Sequence, residues 1–305
     1  MSFTLDVPTA LLTLTSNANR TDSAIDSRIQ HQTTFIPDMA SFRLFALNKD
    51  IFNPSLYKHV QSVWFAGLPK GATLPTPELM KRWWMASPEE KASFDITCRI
   101  NFLHALESIG PEKYQIPNTP SPAIAEPFIR EIAEQSPEND GEDGASAALS
   151  LILLLDQIPR HVFRTPSTLP LVYNHYDTIA TSLIRHLISP DSPVPRPDHH
   201  PLYRLSAAHR FWFYMPLMHS DSLADHKLIA ELFAEFRAEV VKAGPKYEDT
   251  LAYIDRNAGH QKTHADIIER FGRYPHRNEV LGRRTTEEEQ KWLDDGGETF
   301  GVGKS

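Results

Sequence analysis

The chain has one cysteine, Cys98, among its 305 residues. An internal disulfide and a metal site built from several cysteines are therefore excluded. Cys98 lies in the segment FDITCRINF, whose pattern predicts a helix interior and an unreactive, buried thiol. No apolar run reaches about 18 residues, so we expect no membrane-spanning helix and no membrane partner. The first residues lack the basic start and apolar run of a secretory signal, and we expect a cytoplasmic protein.

An excess of positive charge is also missing. Lys and Arg number 31 against 39 Asp and Glu, which gives a net charge of -8. General binding to nucleic acid requires neutralisation of phosphates, so we expect no nucleic-acid partner. Between Arg256 and Arg284, however, the chain has seven Lys and Arg and only three Asp and Glu. A positive segment in an acidic protein favours a small anionic molecule as the partner rather than a polyanion.

Alternating β-branched runs, which would predict strands, are absent as well. Helical periodicity and capping signals instead predict helices over 54–67, 87–109, 122–135, 147–164, 171–187, 202–219, 222–243, 246–271 and from 285 onward. The acidic segment 136–146 is predicted to be a solvated loop. We expect an all-α fold of antiparallel helix pairs in one domain over residues 41–305, preceded by a loosely ordered arm over residues 1–40.

Polar residues follow the apolar helix that begins near residue 147. Asp156, Gln157 and Arg160 stand at its end, and Arg164 lies one turn further. Buried polar groups destabilise a fold unless they are paired. Asp156 is therefore expected either to orient a ligand or a histidine, or to make a local cap or ion pair. Arg160 and Arg164 could bind an anion.

A histidine follows the next strongly apolar helix. His219 and Asp221 lie at a predicted helix junction, where a histidine beside a carboxylate could act as a general base or bind a metal. A core histidine bonded to a backbone carbonyl is the alternative. His260 and His264, four residues apart, could share a metal with His219 or His276. The residue after His260 is Gln261, and this disfavours the zinc-protease motif, which has glutamate there.

Arginine and histidine are most concentrated between residues 264 and 284. Gly272 and Pro275 are expected to bend the chain so that Arg273, His276 and Arg277 converge. Arginine binds carboxylates and phosphates with two parallel hydrogen bonds. Ion pairing within the protein is the alternative, and it is expected above all for Arg283 and Arg284, which precede Glu287, Glu288 and Glu289.

Several segments together resemble the domain-of-unknown-function 924 family. They are VWFAG (63–67), WWMASPEEKASFD (83–95), LSLILLLDQIPRHVFR (149–164), FYMPLMHSD (213–221) and HADIIERFGRYPHRNEVLGRRTTEEE (264–289), followed by Phe300. The chain departs from the family pattern at Asp221, where glutamate is typical, and at Tyr274, where phenylalanine is more frequent. The resemblance implies an all-helical, tetratricopeptide-like fold over about residues 55–300 and implies no activity.

These observations favour an enzyme that acts on a small anionic metabolite without a cofactor or a metal. The predicted catalytic residues are His219, His276 and Asp221. The predicted substrate-binding residues are Asp156, Gln157, Arg160, Arg164, Arg270, Arg273, Arg277 and Asn278. A non-catalytic interaction scaffold with an aromatic surface around Trp83 and Trp84 is one alternative. A metal-dependent enzyme that uses His219, His264 and His276 is another.

Overall fold

The computed structural model describes residues 45–117 and 121–300, and within them the chain is helical with no β-strand. The predicted N-terminal arm lies outside the described residues. The α-helices are α1 Pro54–Trp64, α2 Pro77–Met80, α3 Pro88–Ser108, α4 Glu126–Gln135, α5 Glu142–Ile152, α6 Ile158–Val162, α7 Leu169–Leu171, α8 Asp177–Leu187, α9 Ala207–Met218, α10 Leu223–Ala243, α11 Glu248–Phe271 and α12 Glu287–Asp294. The all-α prediction is confirmed.

Short 3₁₀-helical and π-helical segments connect these α-helices. Short 3₁₀ segments cover Pro122–Ile124, Asn139–Gly141, Pro197–His199, Pro245–Tyr247 and Pro275–Arg277. Wider π-helical turns cover Lys81–Met85, Leu153–Gln157 and Val172–Tyr176. Single π turns within helices occur frequently at functional sites. The one at Leu153–Gln157 carries two of the predicted site residues.

Helix α5 lies at the centre of the core. Its continuous apolar residues predict burial on all sides, and those from Ala147 to Leu155 are at most 1% exposed. The helix packs against α1, α4 and α9. Pro159 has no N–H to donate to the carbonyl of Leu155, and the turn before it widens into the π-helical segment. The helix therefore continues through α6 to Val162. This route brings Asp156 into the interior, where it is completely buried.

Helices α10 and α11 form an antiparallel pair joined by a short turn. Arg237 near the end of α10 bonds Asp255 near the start of α11 at 2.8 Å. Gln261, further along α11, donates to the backbone oxygen of His226 near the start of α10 at 2.9 Å. Contacts that run in opposite directions along the two helices require antiparallel axes. The tetratricopeptide-like detail of the arrangement stays a prediction.

Two helix starts and one short helix differ from the sequence prediction. The segment 136–146 is not a loop throughout, because α5 begins at Glu142, where acidic residues interact favourably with the positive end of the helix. The helix predicted from residue 202 begins at Ala207, after a series of turns. Helix α2 was not predicted, although Thr76 caps it just as Ser87 caps α3, with a proline and a glutamate following each.

Predictions about single groups are confirmed in the described residues. Cys98 is fully buried, and burial raises the pKa of its thiol to about 12. The glutamates at positions 90 and 289 complete capping boxes with Ser87 and Thr286. No helix in residues 45–117 and 121–300 combines the length and apolar character needed to cross a membrane.

Candidate functional site

A buried aspartate and a histidine are paired where α5 and α9 end. Asp156, in the π-helical turn after α5, accepts a hydrogen bond of 2.7 Å at Oδ1 from Nδ1 of His219, the residue that ends α9. The Gln157 side-chain amide donates to the other carboxylate oxygen, Oδ2. Burial by itself would raise the pKa of Asp156, but His219 and Arg160 hold it below its usual range. Asp156 is therefore a carboxylate, and it holds the proton of His219 on Nδ1.

The other ring nitrogen of His219, Nε2, forms no hydrogen bond with any described residue, and the side chain is 14% exposed. Burial lowers the pKa of His219, and the positive charge of Arg160 lowers it further against the opposing effect of Asp156. At neutral pH the imidazole is therefore neutral, with a lone pair on Nε2. This is the state that a general base requires.

Arg160 lies beside Asp156 and His219, and we call the group of side chains around this pair the His219 cluster. The guanidinium of Arg160 is already paired. It donates from both terminal nitrogens to the carboxylate of Asp177, at 2.9 and 3.0 Å, and Nη2 lies 3.8 Å from Asp156. Asp177 begins α8 and is 6% exposed. Besides forming these ion pairs, Arg160 lowers the pKa of both Asp156 and His219 by its positive charge.

Arg277 lies between two aromatic rings. Its guanidinium carbon is 4.7 Å from the ring centre of Tyr173 and 4.4 Å from that of Tyr274. Nη1 donates to the backbone oxygen of His219 at 2.8 Å and lies 3.6 Å from Asp221. None of the described residues hydrogen-bonds its Nε or Nη2. In the described residues Arg277 therefore has two donor nitrogens, Nε and Nη2, without a partner. It contacts His219, whose Nε2 is an acceptor without a partner there.

Tyr274, which is fully buried, connects the C-terminal segment to α9. Its hydroxyl donates to the backbone oxygen of Met218 at 2.6 Å and contacts Nδ1 of His264 at 2.9 Å. With Arg277, it satisfies carbonyl groups at the end of α9 that the helix leaves unpaired. The segment after α11 therefore fixes the position of His219 through that helix end.

The other two predicted catalytic residues have different surroundings. Asp221 accepts from Arg283 at 2.9 Å and from the Tyr274 backbone at 3.4 Å, and it is Asp156 that contacts His219. His276 has a buried Nδ1 without a partner in the described structure. Burial, followed by the charges of Arg277 and Arg283, lowers the pKa of His276 to about 3. His276 is thus a neutral imidazole near the arginines.

Three predicted substrate-binding residues bond to α12 or its start. Arg273 pairs with Glu289 at 2.6 and 2.8 Å, and Asn278 donates to the same carboxylate at 3.2 Å. Arg270 is half exposed and bonds Glu288 at 2.9 Å. No hydrogen bond or ion pair in the described residues joins these three side chains to His219 or Asp156. They stabilise the segment that carries Arg277.

Arg164 lies in another cluster of the same chemical type. It is 3.4 Å from Asp95, which also contacts Nδ1 of His161 at 2.7 Å. His161 and Asp95 thus repeat the distance between His219 and Asp156 on the α3–α6 contact. The expected ion pair of Arg283 is with Asp221 rather than with the glutamates of α12.

Metal binding by the histidines finds no geometric support. His260 is exposed whereas His264 is partly buried against Tyr274. Within residues 45–117 and 121–300, no group of three His, Cys, Asp or Glu side chains could hold a metal ion. A groove of about 290 Å³ lies elsewhere, between Pro77 of α2 and Tyr253 of α11, and none of its lining residues belongs to the His219 cluster.

Two contributors to the cluster carried no signal in the sequence analysis. Asp177 and Tyr173 lie in and before α8, whose pattern predicted only an amphipathic helix. The sequence signal for Asp177 would be an acidic residue on the buried side of this amphipathic helix. To use that signal, one must already know which side of the helix is buried. Proximity to Arg160 and Arg277 comes from packing alone.

Comparison with known proteins places the chain in a family. The profile of the family described as bacterial protein of unknown function (DUF924) matches residues 60–297, and the chain belongs to this family. A solved structure of a protein of unknown function, ATU0120 from Agrobacterium tumefaciens, is similar at 24% identity with a TM-score of 0.47, over 79% of this chain and 98% of that one. None of the curated proteins compared with the chain matches it.

Proposed function

We propose that this protein is an enzyme that acts on a small anionic metabolite, a carboxylate or a phosphate, without a resident cofactor. In this proposal His219 removes or returns a proton at Nε2, and Arg277 binds the anion. Asp156 and Gln157 hold the imidazole in the required tautomer. The proposal retains a cytoplasmic location and a partner that is neither nucleic acid nor membrane.

The observation that carries the proposal is the Nε2 of His219, which has no partner among the described residues, in a residue whose backbone oxygen accepts from Arg277, an arginine that keeps Nε and Nη2 unpaired there. A buried aspartate that fixes Nδ1–H leaves the second nitrogen free to accept a proton, as in hydrolytic triads. Arg160 and Arg277 would also stabilise negative charge that develops on a substrate when its proton leaves.

The charges of the cluster favour a small anion over a polyanion. Arg160 and Arg283 each use both terminal nitrogens within the protein, whereas Nη2 and Nε of Arg277 have no hydrogen-bond partner among the described residues. One guanidinium edge matches one carboxylate or one phosphate group. When His219 becomes protonated, the bound anion would offset the repulsion from Arg160. Elimination, isomerisation, condensation and hydrolysis all fit this arrangement.

A non-catalytic scaffold is the second candidate. Trp84 is 44% exposed and Met85 is 63% exposed, and the Trp84 ring stacks on Trp212, which also meets Trp83 edge to face. Exposed large apolar side chains of this kind favour contact with another protein. Under this alternative, the arginines serve only to join helices.

The test compares two histidines with matched geometry. We would replace His219 and, as the control, His161 by glutamine, since each contacts an aspartate through Nδ1 at 2.7 Å. Carboxylic and phosphorylated metabolites would be incubated with each protein and product formation followed by mass spectrometry. The proposal is supported if the rate of product formation falls by at least about 100-fold in His219→Gln and is retained in His161→Gln. Equal loss in both variants, or no turnover of any compound, counts against it.

A further inference from the structure

The contacts of the Tyr274 hydroxyl determine which nitrogen of His264 carries the proton. A tyrosine hydroxyl has a single proton to donate. The backbone oxygen of Met218, 2.6 Å away, can only accept, so that proton is directed to it. The 2.9 Å contact between the same hydroxyl and Nδ1 of His264 therefore requires a proton on Nδ1.

A proton on Nδ1 leaves a lone pair on Nε2 of His264, since this imidazole is neutral. Burial, followed by the charges of His219, His226 and Arg277, lowers the pKa of His264 to about 2. No described residue hydrogen-bonds its Nε2. The ring is held in place on one face by Phe300, whose ring is parallel to it at 3.7 Å.

His219 has the same tautomer, because Nδ1 donates to the carboxylate of Asp156. The two histidines are joined through the end of α9, since Tyr274 contacts both His264 and the Met218 carbonyl next to His219. The ring of Tyr274 also contacts the guanidinium of Arg277. Among the described residues, this region thus contains two imidazole nitrogens and one guanidinium edge that have no hydrogen-bond partner.

We infer that the ligand of this site is a hydroxylated organic anion. Its anionic group pairs with Arg277, and its hydroxyl groups donate to Nε2 of His264 and of His219. An alcohol hydroxyl is a neutral hydrogen-bond donor, and it can donate to these imidazoles while the anionic group pairs with Arg277. This inference rests on the proposed anion site and adds the substrate class.

Ligand pairs that differ in hydroxyl content test the inference in the full-length protein. Malate and succinate share two carboxylates and differ by one hydroxyl, and glycerol 3-phosphate and propyl phosphate share a phosphate and differ by two. Dissociation constants would be measured by isothermal titration calorimetry. We expect the hydroxylated member of at least one pair to bind about 3- to 10-fold more tightly, the usual worth of a net hydrogen bond. The pair that shows the preference also identifies the anion as carboxylate or phosphate.

His264→Phe is the informative variant, because it keeps a flat ring against Phe300 and removes both nitrogens. We expect the preference for the hydroxylated ligand to disappear in it while the affinity for the other member of the pair stays within about 2-fold. The control is His161→Phe, which removes a partly buried histidine elsewhere and should keep the preference. If His264→Phe fails to fold, long-range ¹H–¹⁵N spectra of the unmodified protein report the tautomers of His264 and His219 directly.

The possible outcomes distinguish the hydroxyl inference from the proposed anion site. Equal affinity within both pairs, or an Nε2–H tautomer at His264, overturns the hydroxyl inference and leaves the anion site intact. Failure of all four ligands to bind overturns the anion site and the inference with it. A preference that survives in His264→Phe assigns the hydroxyl contact to another residue and also overturns the inference.

Discussion

Replacement of Glu289 by glutamine should destabilise the segment that carries Arg277. Glu289 is 2% exposed, and its carboxylate accepts hydrogen bonds from Arg273 at 2.6 and 2.8 Å, from Asn278 at 3.2 Å and from the Thr286 backbone at 2.7 Å. These donors, Arg273 first, lower the pKa of Glu289 to about 2 from an ordinary value of 4.5. The folded structure therefore stabilises the ionised form of the Glu289 side chain much more than its protonated form.

The pKa difference gives the magnitude. At 1.36 kcal/mol per pH unit, a change from 4.5 to about 2 corresponds to about 3 kcal/mol of stabilisation. Because the folded-state pKa is the lower one, this stabilisation is fully present above the unfolded pKa of 4.5. It is lost as the pH falls from 4.5 through about 2. Glu289→Gln removes the charge at every pH, so its effect should be largest near neutral pH.

Urea unfolding of the two proteins at several pH values measures this effect. We expect the free energy of unfolding to fall by about 3 kcal/mol in Glu289→Gln near neutral pH, and the difference to shrink towards zero near pH 2. If α12 opens separately from the core, hydrogen exchange of the amides in residues 272–286 reports the same loss. The control is Glu288→Gln, because Glu288 pairs with Arg270 on the surface and should cost at most about 1 kcal/mol. Equal losses in both variants, or a difference that does not shrink in acid, would refute the reasoning.

Two further predictions concern the core. Gly144→Ala should destabilise the fold by about 1–3 kcal/mol in thermal or urea unfolding, because a Cβ there would lie 2.8 Å from Cα of Ser136. Gly259→Ala is its control: no atom lies within 4 Å of the new Cβ in α11, so a gain of about 0.5–1 kcal/mol is expected and a loss would contradict the argument. Cys98 should react with a thiol reagent only as fast as the protein unfolds, since it is fully buried with a pKa raised to about 12, and rapid labelling of the native protein would show the burial to be wrong.

The helices could be predicted because their signals are local. Caps at Ser87 and Thr286, prolines in first turns and apolar periodicity all act within a few residues. The start of α5 at Glu142 was missed because acidic residues favour both a solvated loop and a helix N-terminus. Helix α2 was missed because it is four residues long and gives no periodicity.

The sequence by itself determined the all-α fold, the burial of α5 and the residue types of the candidate site. It also limited the pairing of charges, because an aspartate at the end of so apolar a helix needs a partner in the interior. Which partner it has was decided by the tertiary structure: Asp156 contacts His219, 63 residues away, while Asp221, two residues from His219, contacts Arg283. Arg273 likewise bonds Glu289 whereas Arg277 keeps free donors, although both stand in one basic segment. Pairings of this kind depend on which helix ends meet in space, and no local pattern in the chain encodes that distance.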